Sequence, residues 1–490
     1  MRAMNLASIL QCHAHSHGDK TAIEFGAARL SYLTLWQCLQ GYAACLHEHG
    51  IGPGDRVGLA LKEHPRHLIL HYALARLGAV ILPIDQRWTI AEKTAAATTF
   101  KAKLLIVEED ANMPEGTECL TLDQVHQDAD PGCLPPLPDG PDLTLLISLS
   151  SGTTGRPKGA LVTHEQMYQR FISQWVSIGF NSQDRFIGLT PLYFGAGRSF
   201  AMSFLAAGAT VILDPPPHKP EELVRAINAS GASATFLVPT QLRELLPLHR
   251  DGLVLPHLHK LLVSGAALHP PEATAMRSKV SPGLVGYYAS SEGGGISVLT
   301  AAEFDDYAHT AGRPTFRTEV QVVDNQDRPV AAGETGRLRY RGPGVAARFI
   351  DADGTEQTTG PQDWFYPGDL AAKLEHGHII LRGRDKDVIN RGGVNIYPAE
   401  IEAVLVQLPA IREAAVVGEP SEKFGESVTA FIATSDGLHK NVLDEHCRKQ
   451  LAPYKIPARY VATDELPKTS SGKTDKAALV KQLVREDKHE

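Results

Sequence analysis

Residues Ser148–His164, SLSSGTTGRPKGALVTH, gather hydroxyl side chains, glycines and one lysine into a short loop. An apolar run, Leu145 to Ile147, enters it as a strand, and THEQMYQRF leaves it with the apolar spacing of a helix. A strand joined to a helix through such a loop is the repeating unit of an α/β fold. Ser and Thr hydroxyls, with backbone N–H groups left accessible by Gly152, Gly155 and Gly159, can ring an anion, and Lys158 adds a positive charge. The lysine precedes glycine rather than a hydroxyl residue, so this is not the GxxxxGK[ST] loop. Taken alone, the residues fit either a phosphate cradle or a flexible turn with a solvated lysine.

The same alternation recurs on both sides. Upstream, Leu30 to Ile51 reads as a helix, GPGDRVGLAL as a turn and strand, HPRHLILHYALARLGAVILPID as a helix and buried strand, and AKLLIVEED as a further strand. HQDADPGCLPPLPDGPD, residues 126–142, is a loop. Downstream, RFIGLTPL, ATVILD, ATFLVPTQL, KLLVSGAAL and GLVGYYASSE form a second series, so mainly parallel sheets are expected. After about residue 310, short β runs broken by Gly and Pro suit an antiparallel unit. From GRDKD (Gly383–Asp387) onward the chain reads as self-contained. The expected fold is α/β. Residues 1–385 form a large N-terminal domain of two α/β sheet lobes plus a small β-barrel-like unit, and residues 386–490 a small α+β C-terminal domain.

A chain of 490 residues allows about three folding units. Hydrophobic residues make up 43% and charged residues 21%, enough for a large core. The net charge of -8 gives no basic bias toward nucleic acid. No run approaches the length of a membrane span, and no secretory signal is visible. Cys12, Cys38, Cys45, Cys119, Cys133 and Cys447 form no CxxC pair, as expected of reduced thiols in a cytoplasmic protein. CHAHSHG sets His13 and His17 four apart, which reads as a metal tract or as a polar helix end with no further ligand close in sequence.

SSGTTGRPKG resembles the phosphate loop of the adenylate-forming superfamily, which includes acyl-CoA synthetases, aryl-CoA ligases, carrier-protein adenylation domains and luciferases. YYASSE (Tyr287–Glu292), WFYPGDL (Trp364–Leu370), GRDKDVINRGGVNIYPAEIE and LPKTSSGKTDK resemble that family's later motifs, in its order. The resemblance implies that a carboxylate and ATP give an acyl-adenylate and pyrophosphate, after which a thiol displaces AMP. It places Ser150, Ser151, Gly152, Thr153, Thr154, Gly155 and Lys158 on the phosphates, and Glu292 on Mg²⁺, with Ser291 beside it. Tyr288 would stack on adenine opposite Gly265, Ala266 and Ala267. Asp369 would accept from the ribose hydroxyls, supported by Arg384, and the alternative is a structural ion pair between those two. Lys473 would bridge the acid and the α-phosphate.

The same likeness implies a mobile C-terminal domain that turns about Lys386 and brings Gly392 and Gly393 to a thiol channel. The thiol would belong to coenzyme A or, alternatively, to the phosphopantetheine of a separate carrier protein. PLYFGAGRSF carries Phe194 where the family usually has histidine, and no aspartate suited to an α-ammonium lies between Leu189 and Phe200. Tyr193, Phe194, Phe236, Thr240, Ser264 and Tyr287 are candidate walls of an acyl pocket. Arg198 either faces that pocket, pairing with a second carboxylate or polar acyl group, or snorkels to solvent. The residues leave the acid open among aryl, short or medium acyl, and dicarboxylic types. Ala289 and Pro367 also depart from the family's motifs, where glycine and threonine are usual.

Overall fold

Short aliphatic strands, several buried along their whole length, alternate with helices and need cover on both faces. The computed structural model describes residues 5–109, 116–151, 157–216, 218–265, 268–351, 353–360, 363–391, 394–421, 424–434, 439–469 and 473–486. Among these residues, one sheet has nine strands, in the order Arg313–Pro314, Gly294–Leu299, Leu284–Ser290, Lys260–Val263, Ala234–Leu237, Arg185–Gly188, Thr210–Leu213, Thr21–Phe25 and Ala28–Ser31. A second has eight, in the order Glu356–Thr358, Arg348–Ile350, Pro157–Thr163, Thr144–Ser151, Val80–Pro83, Arg56–Ala60, Leu104–Val107 and Glu118–Thr121. The central pairings of both are parallel; antiparallel strands close both ends of the nine-stranded sheet and one end of the eight-stranded sheet, whose other end, Glu118–Thr121, pairs in parallel.

The helices Tyr32–Glu48, Pro65–Leu77 and Gly195–Ala206 share one core with strands of both sheets. Pro65–Leu77 is buried at every position from His67 to Leu77, as a helix covered on all sides must be. On the helix Gly195–Ala206, Phe204 stacks between Phe180 and Phe186, with centroids 4.1 and 4.7 Å away.

The chain after residues 152–156 differs from its sequence reading. It is a strand and not the start of a helix. The strands Thr144–Ser151 and Pro157–Thr163 form an antiparallel hairpin, and the helix His164–Ile178 begins only after the second strand, behind a capping box of Thr163 and Gln166. Gly159 therefore sits in a strand. A Cβ there would fall on Ile147 Cγ2 and lie 3.0 Å from Phe100 Cε1, so packing requires the glycine.

The antiparallel strands Glu319–Val323, Thr335–Arg341, Asp369–Lys373 and Ile379–Arg384 make a third, four-stranded sheet. A further sheet is formed by Val394–Ile396, Ile389–Arg391, Gly425–Thr434 and Ile411–Ser421, with Arg459–Thr463 added in parallel. This last sheet has its own core with the helices Pro398–Leu405 and Lys440–Arg448. Arg243 of the N-terminal part lies 3.7 Å from Glu413 of the C-terminal part.

His13 bonds Ala206 O at 2.9 Å through Nε2 and packs on Tyr32, while His17 is exposed at its helix end. Among the described residues no cluster of His, Cys, Asp and Glu is arranged to hold a metal by itself, and no helix is long and apolar enough to cross a membrane.

Candidate active site

The turn that carries Glu292 is held from behind by groups the sequence does not announce. Ser290 Oγ lies 2.5 Å from Tyr340 OH and accepts from Gly293 N at 3.0 Å. Arg170, buried on the helix His164–Ile178, donates to the carbonyls of Gly344 (2.8 Å), Ser291 (3.3 Å) and Glu292 (2.5 Å). Burial holds this guanidinium's pKa below its ordinary value. A side chain at Gly293 would collide with the Tyr340 ring, which fixes how closely the turn approaches the third sheet. Glu292 is half-buried, and among the described residues no cation sits within ion-pair distance of its carboxylate. A free carboxylate on a rigid turn suits a hard divalent cation such as Mg²⁺.

Asp369 and Arg384 face each other across neighbouring strands of the third sheet. Arg384 Nε donates to Asp369 Oδ1 at 2.9 Å, its Nη1 donates to Pro367 O at 2.6 Å, and Tyr288 OH donates to Asp369 Oδ2. Both carboxylate oxygens thus already accept a protein donor, and ribose hydroxyls would use the remaining lone pairs. Burial raises the Asp369 pKa, against the pull of Arg384, Tyr288 and Lys473. The Tyr288 ring packs at the edge of the third sheet's core, with its hydroxyl anchored on Asp369.

Lys473 reaches the same place from the far end of the chain. Its N–H donates to Thr469 Oγ1 at 3.3 Å and its carbonyl accepts from Thr469 N at 2.8 Å, which forms the base of a turn. The residue keeps exposed surface, yet dense protein surrounds the amine. Desolvation lowers its pKa, helped by Arg384 and opposed by Asp369 and Glu292. Glu292, Asp369, Arg384 and Lys473 therefore share one electrostatic neighbourhood, although more than 100 residues of chain separate Lys473 from Asp369.

Lys158 is exposed and opposite Ser150 in the hairpin register. Gly152, Thr153, Thr154 and Gly155, the side chains of Ser150 and Ser151, and Ala266, Ala267, Gly392 and Gly393 lie outside the described residues. Gly265 adopts φ 101°, a backbone that favours glycine. Ser264, Thr240 and Ser291 are half-buried. Lys386 is exposed in the short turn Asp385–Asp387.

Among the acyl-pocket candidates, Phe236 and Tyr287 pack on Phe200 with centroids 5.4 and 5.5 Å away, and Gln174 Nε2 lies 3.4 Å from Tyr287 OH. Tyr193 accepts from Arg87, which is itself paired with Asp85 at 2.7 Å, and Phe194 precedes the helix Gly195–Ala206. Arg198 does not snorkel to solvent. It is 3% exposed, and its Nη1 donates to the carbonyls of Leu192 (2.9 Å) and Tyr193 (3.1 Å). Arg170, Tyr340 and the Asp85–Arg87 pair went unread in the sequence. Arg170 leaves one legible trace, a basic residue on the same helix face as buried Met167, Phe171 and Gln174.

A carboxylate without an ion pair, a carboxylate–arginine pair and a lysine from the far end of the chain thus come together in one neighbourhood. The chain belongs to the AMP-binding enzyme family: the family model matches residues 10–349, and the model of the AMP-binding enzyme C-terminal domain matches residues 400–473. It is 30% identical to the feruloyl-CoA synthase of an Amycolatopsis species, over 96% of this chain and 98% of that one. It is 30% identical to the indoleacetate–CoA ligase of Aromatoleum aromaticum, over 98% of both chains. The 2-succinylbenzoate–CoA ligase of Listeria innocua is 27% identical over 96% of this chain and 98% of its own. Among solved structures, ATP-bound MatB from Rhodopseudomonas palustris superposes with a TM-score of 0.87 at 25% identity, covering 98% of this chain and 99% of that one.

Proposed function

We propose that the protein is an ATP-dependent acid–thiol ligase that makes acyl-adenylates and passes the acyl group to coenzyme A. The observation that carries the reading is the convergence of Lys473 with Glu292, Asp369 and Arg384. In the first step a carboxylate oxygen of the acid bonds to the α-phosphorus, and the bond from that phosphorus to the bridging oxygen breaks, releasing pyrophosphate. Both reactants are anionic, so their approach needs fixed positive charge. Lys473 supplies it between acid and α-phosphate, and Lys158 beside the terminal phosphates. Arg384 and Asp369 orient the ribose, and Arg170 holds the Glu292 turn. A magnesium ion on Glu292 would offset phosphate charge. In the second step the thiol sulfur bonds to the acyl carbon, AMP departs, and the thiol proton passes to solvent.

The CoA-ligase relatives support coenzyme A over a carrier protein as the acceptor. Their acids are aromatic, and the Phe200, Phe236 and Tyr287 cluster is consistent with an aryl-bearing acid. All six cysteines are free, which fits a cytoplasmic enzyme. Pyrophosphate release measured over a panel of carboxylic acids, with and without CoA, tests the assignment. Acid-dependent release and acyl-CoA formation are expected. Binding of ATP without release for any acid would refute it.

A further inference from the structure

Arg198 is a buried cation without a counter-anion. Its side chain lies at the start of the helix Gly195–Ala206, in the segment that also carries Tyr193 and Phe194. Only Nη1 is engaged, by two backbone carbonyls, and no carboxylate of the described residues pairs with the group. The next charged neighbour is another buried arginine, Arg170, whose own donors are occupied by three carbonyls. Burial and this like charge push Arg198 down to about 10. On the facing helix Pro65–Leu77, His67 and His71 are fully buried, and their Nε2 atoms have no hydrogen-bond partner among the described residues. Both imidazoles feel the charge of Arg198. A buried cation is costly unless it is paired, so a guanidinium left with open donors is suited to an anion.

The neighbours of Arg198 point to that anion. Arg198 neighbours Arg170, and Arg170 grips the Glu292 turn, so Arg198 stands one layer of side chains inward from the adenylation site. Ser199, the next residue, meets Gln174, which in turn meets Tyr287. An acid whose reactive carboxyl lay at the nucleotide and whose far end ran past these groups would meet the guanidinium. We propose that Arg198 binds a second carboxylate at the far end of the substrate acid, so that the preferred substrates are dicarboxylic. Nη1 is the one nitrogen of Arg198 with a hydrogen bond among the described residues, which leaves Nε and Nη2 of the fork for a carboxylate. This inference rests on the acid-activating reading of the site.

The test compares matched acids: phenylacetic against 4-carboxyphenylacetic acid, and hexanoic against adipic acid. Pyrophosphate release should show kcat/KM about 30-fold or more higher for at least one diacid than for its monoacid partner. In Arg198→Met that ratio should collapse to about one or below, and Arg198→Lys, which keeps the charge without the fork, should fall between. Monoacids outperforming diacids in the wild type, or a diacid advantage that survives Arg198→Met, would overturn the assignment. So would a preference for a phenolic acid such as 4-hydroxyphenylacetic acid over the diacid. A second readout needs no turnover. The diacids alone should raise the melting temperature of wild type and not of Arg198→Met, and the monoacids should raise neither. If that shift appears while no acid yields pyrophosphate, the ligase reading fails and the carboxylate site stands. If pyrophosphate forms but the diacids neither shift melting nor turn over faster, the ligase reading stands and the site fails.

Discussion

At the scale of single residues, the chemistry depends on charges brought together from distant parts of the chain. Lys473 lies beside Glu292 and Asp369, which favour its ammonium form, and beside Arg384, which opposes it. Among the described residues its side chain makes no ion pair, so its charge is free to bridge two anionic reactants. Lys473→Ala should lower acid-dependent pyrophosphate release by roughly 10²–10⁴-fold with an unchanged melting temperature. The same variant, given preformed acyl-adenylate and CoA, should make acyl-CoA at a near-normal rate, because the thiol step needs no bridge between acid and phosphate. Equal loss in both assays would place the lysine in general stability instead.

At the scale of elements, the helix His164–Ile178 ties the hairpin to the rest of the domain. Leu6 N donates to His164 Nδ1 at 3.0 Å, and His164 is fully buried with Nε2 unpartnered among the described residues. Desolvation lowers its pKa to about 3, so the folded protein keeps it neutral. The unfolded chain takes up a proton near pH 6.5. The stability this neutral imidazole permits is therefore complete above about pH 6.5 and is lost as pH falls toward 3, at up to about 1.4 kcal/mol per pH unit. His164→Asn retains an acceptor for Leu6 N and removes the titration. In urea unfolding the variant should be less stable at pH 7, and its deficit should shrink as pH drops to 4. A deficit independent of pH would exclude the linkage.

The helix and its hairpin also show where sequence reading stops. The apolar period of Met167, Phe171 and their neighbours is local, and so is the helix start at Thr163. The strand Pro157–Thr163 was hidden by Pro157 and Gly159, which read as turn signals. Gly159 is set by Phe100 and Ile147, contacts no local pattern reveals. The strand–helix alternation of both sheets was legible for the opposite reason, since fully covered parallel strands leave apolar runs of their own length. The pairing of Asp369 with Arg384 needed the register of their two strands, and the position of Lys473 needed the whole tertiary fold. Only the likeness of LPKTSSGK to a known motif singled that lysine out beforehand.

At the scale of the whole molecule, two chemical steps compete for one site. We propose that transfer to a thiol requires the C-terminal part to carry Lys473 away from the site. One contact opposing that motion is weak. Arg243 lies 3.7 Å from Glu413, but each has a closer partner, Glu272 at 2.6 Å and Lys468 at 2.5 Å, and a partly exposed pair of this kind contributes about 0–1 kcal/mol. The pivot we propose is Lys386, in the tight turn Asp385–Asp387 that follows Arg384 directly. Such a turn holds φ near -60°, the value a proline ring imposes, so Lys386→Pro is compatible with the adenylating arrangement. A large backbone rotation at the same residue is not compatible with that ring. The variant should release pyrophosphate and accumulate enzyme-bound acyl-adenylate at near wild-type rates, while acyl-CoA formation falls by at least about 10-fold. Single-turnover assays of each half-reaction separate the two steps, and parallel losses in both would move the pivot elsewhere in the chain.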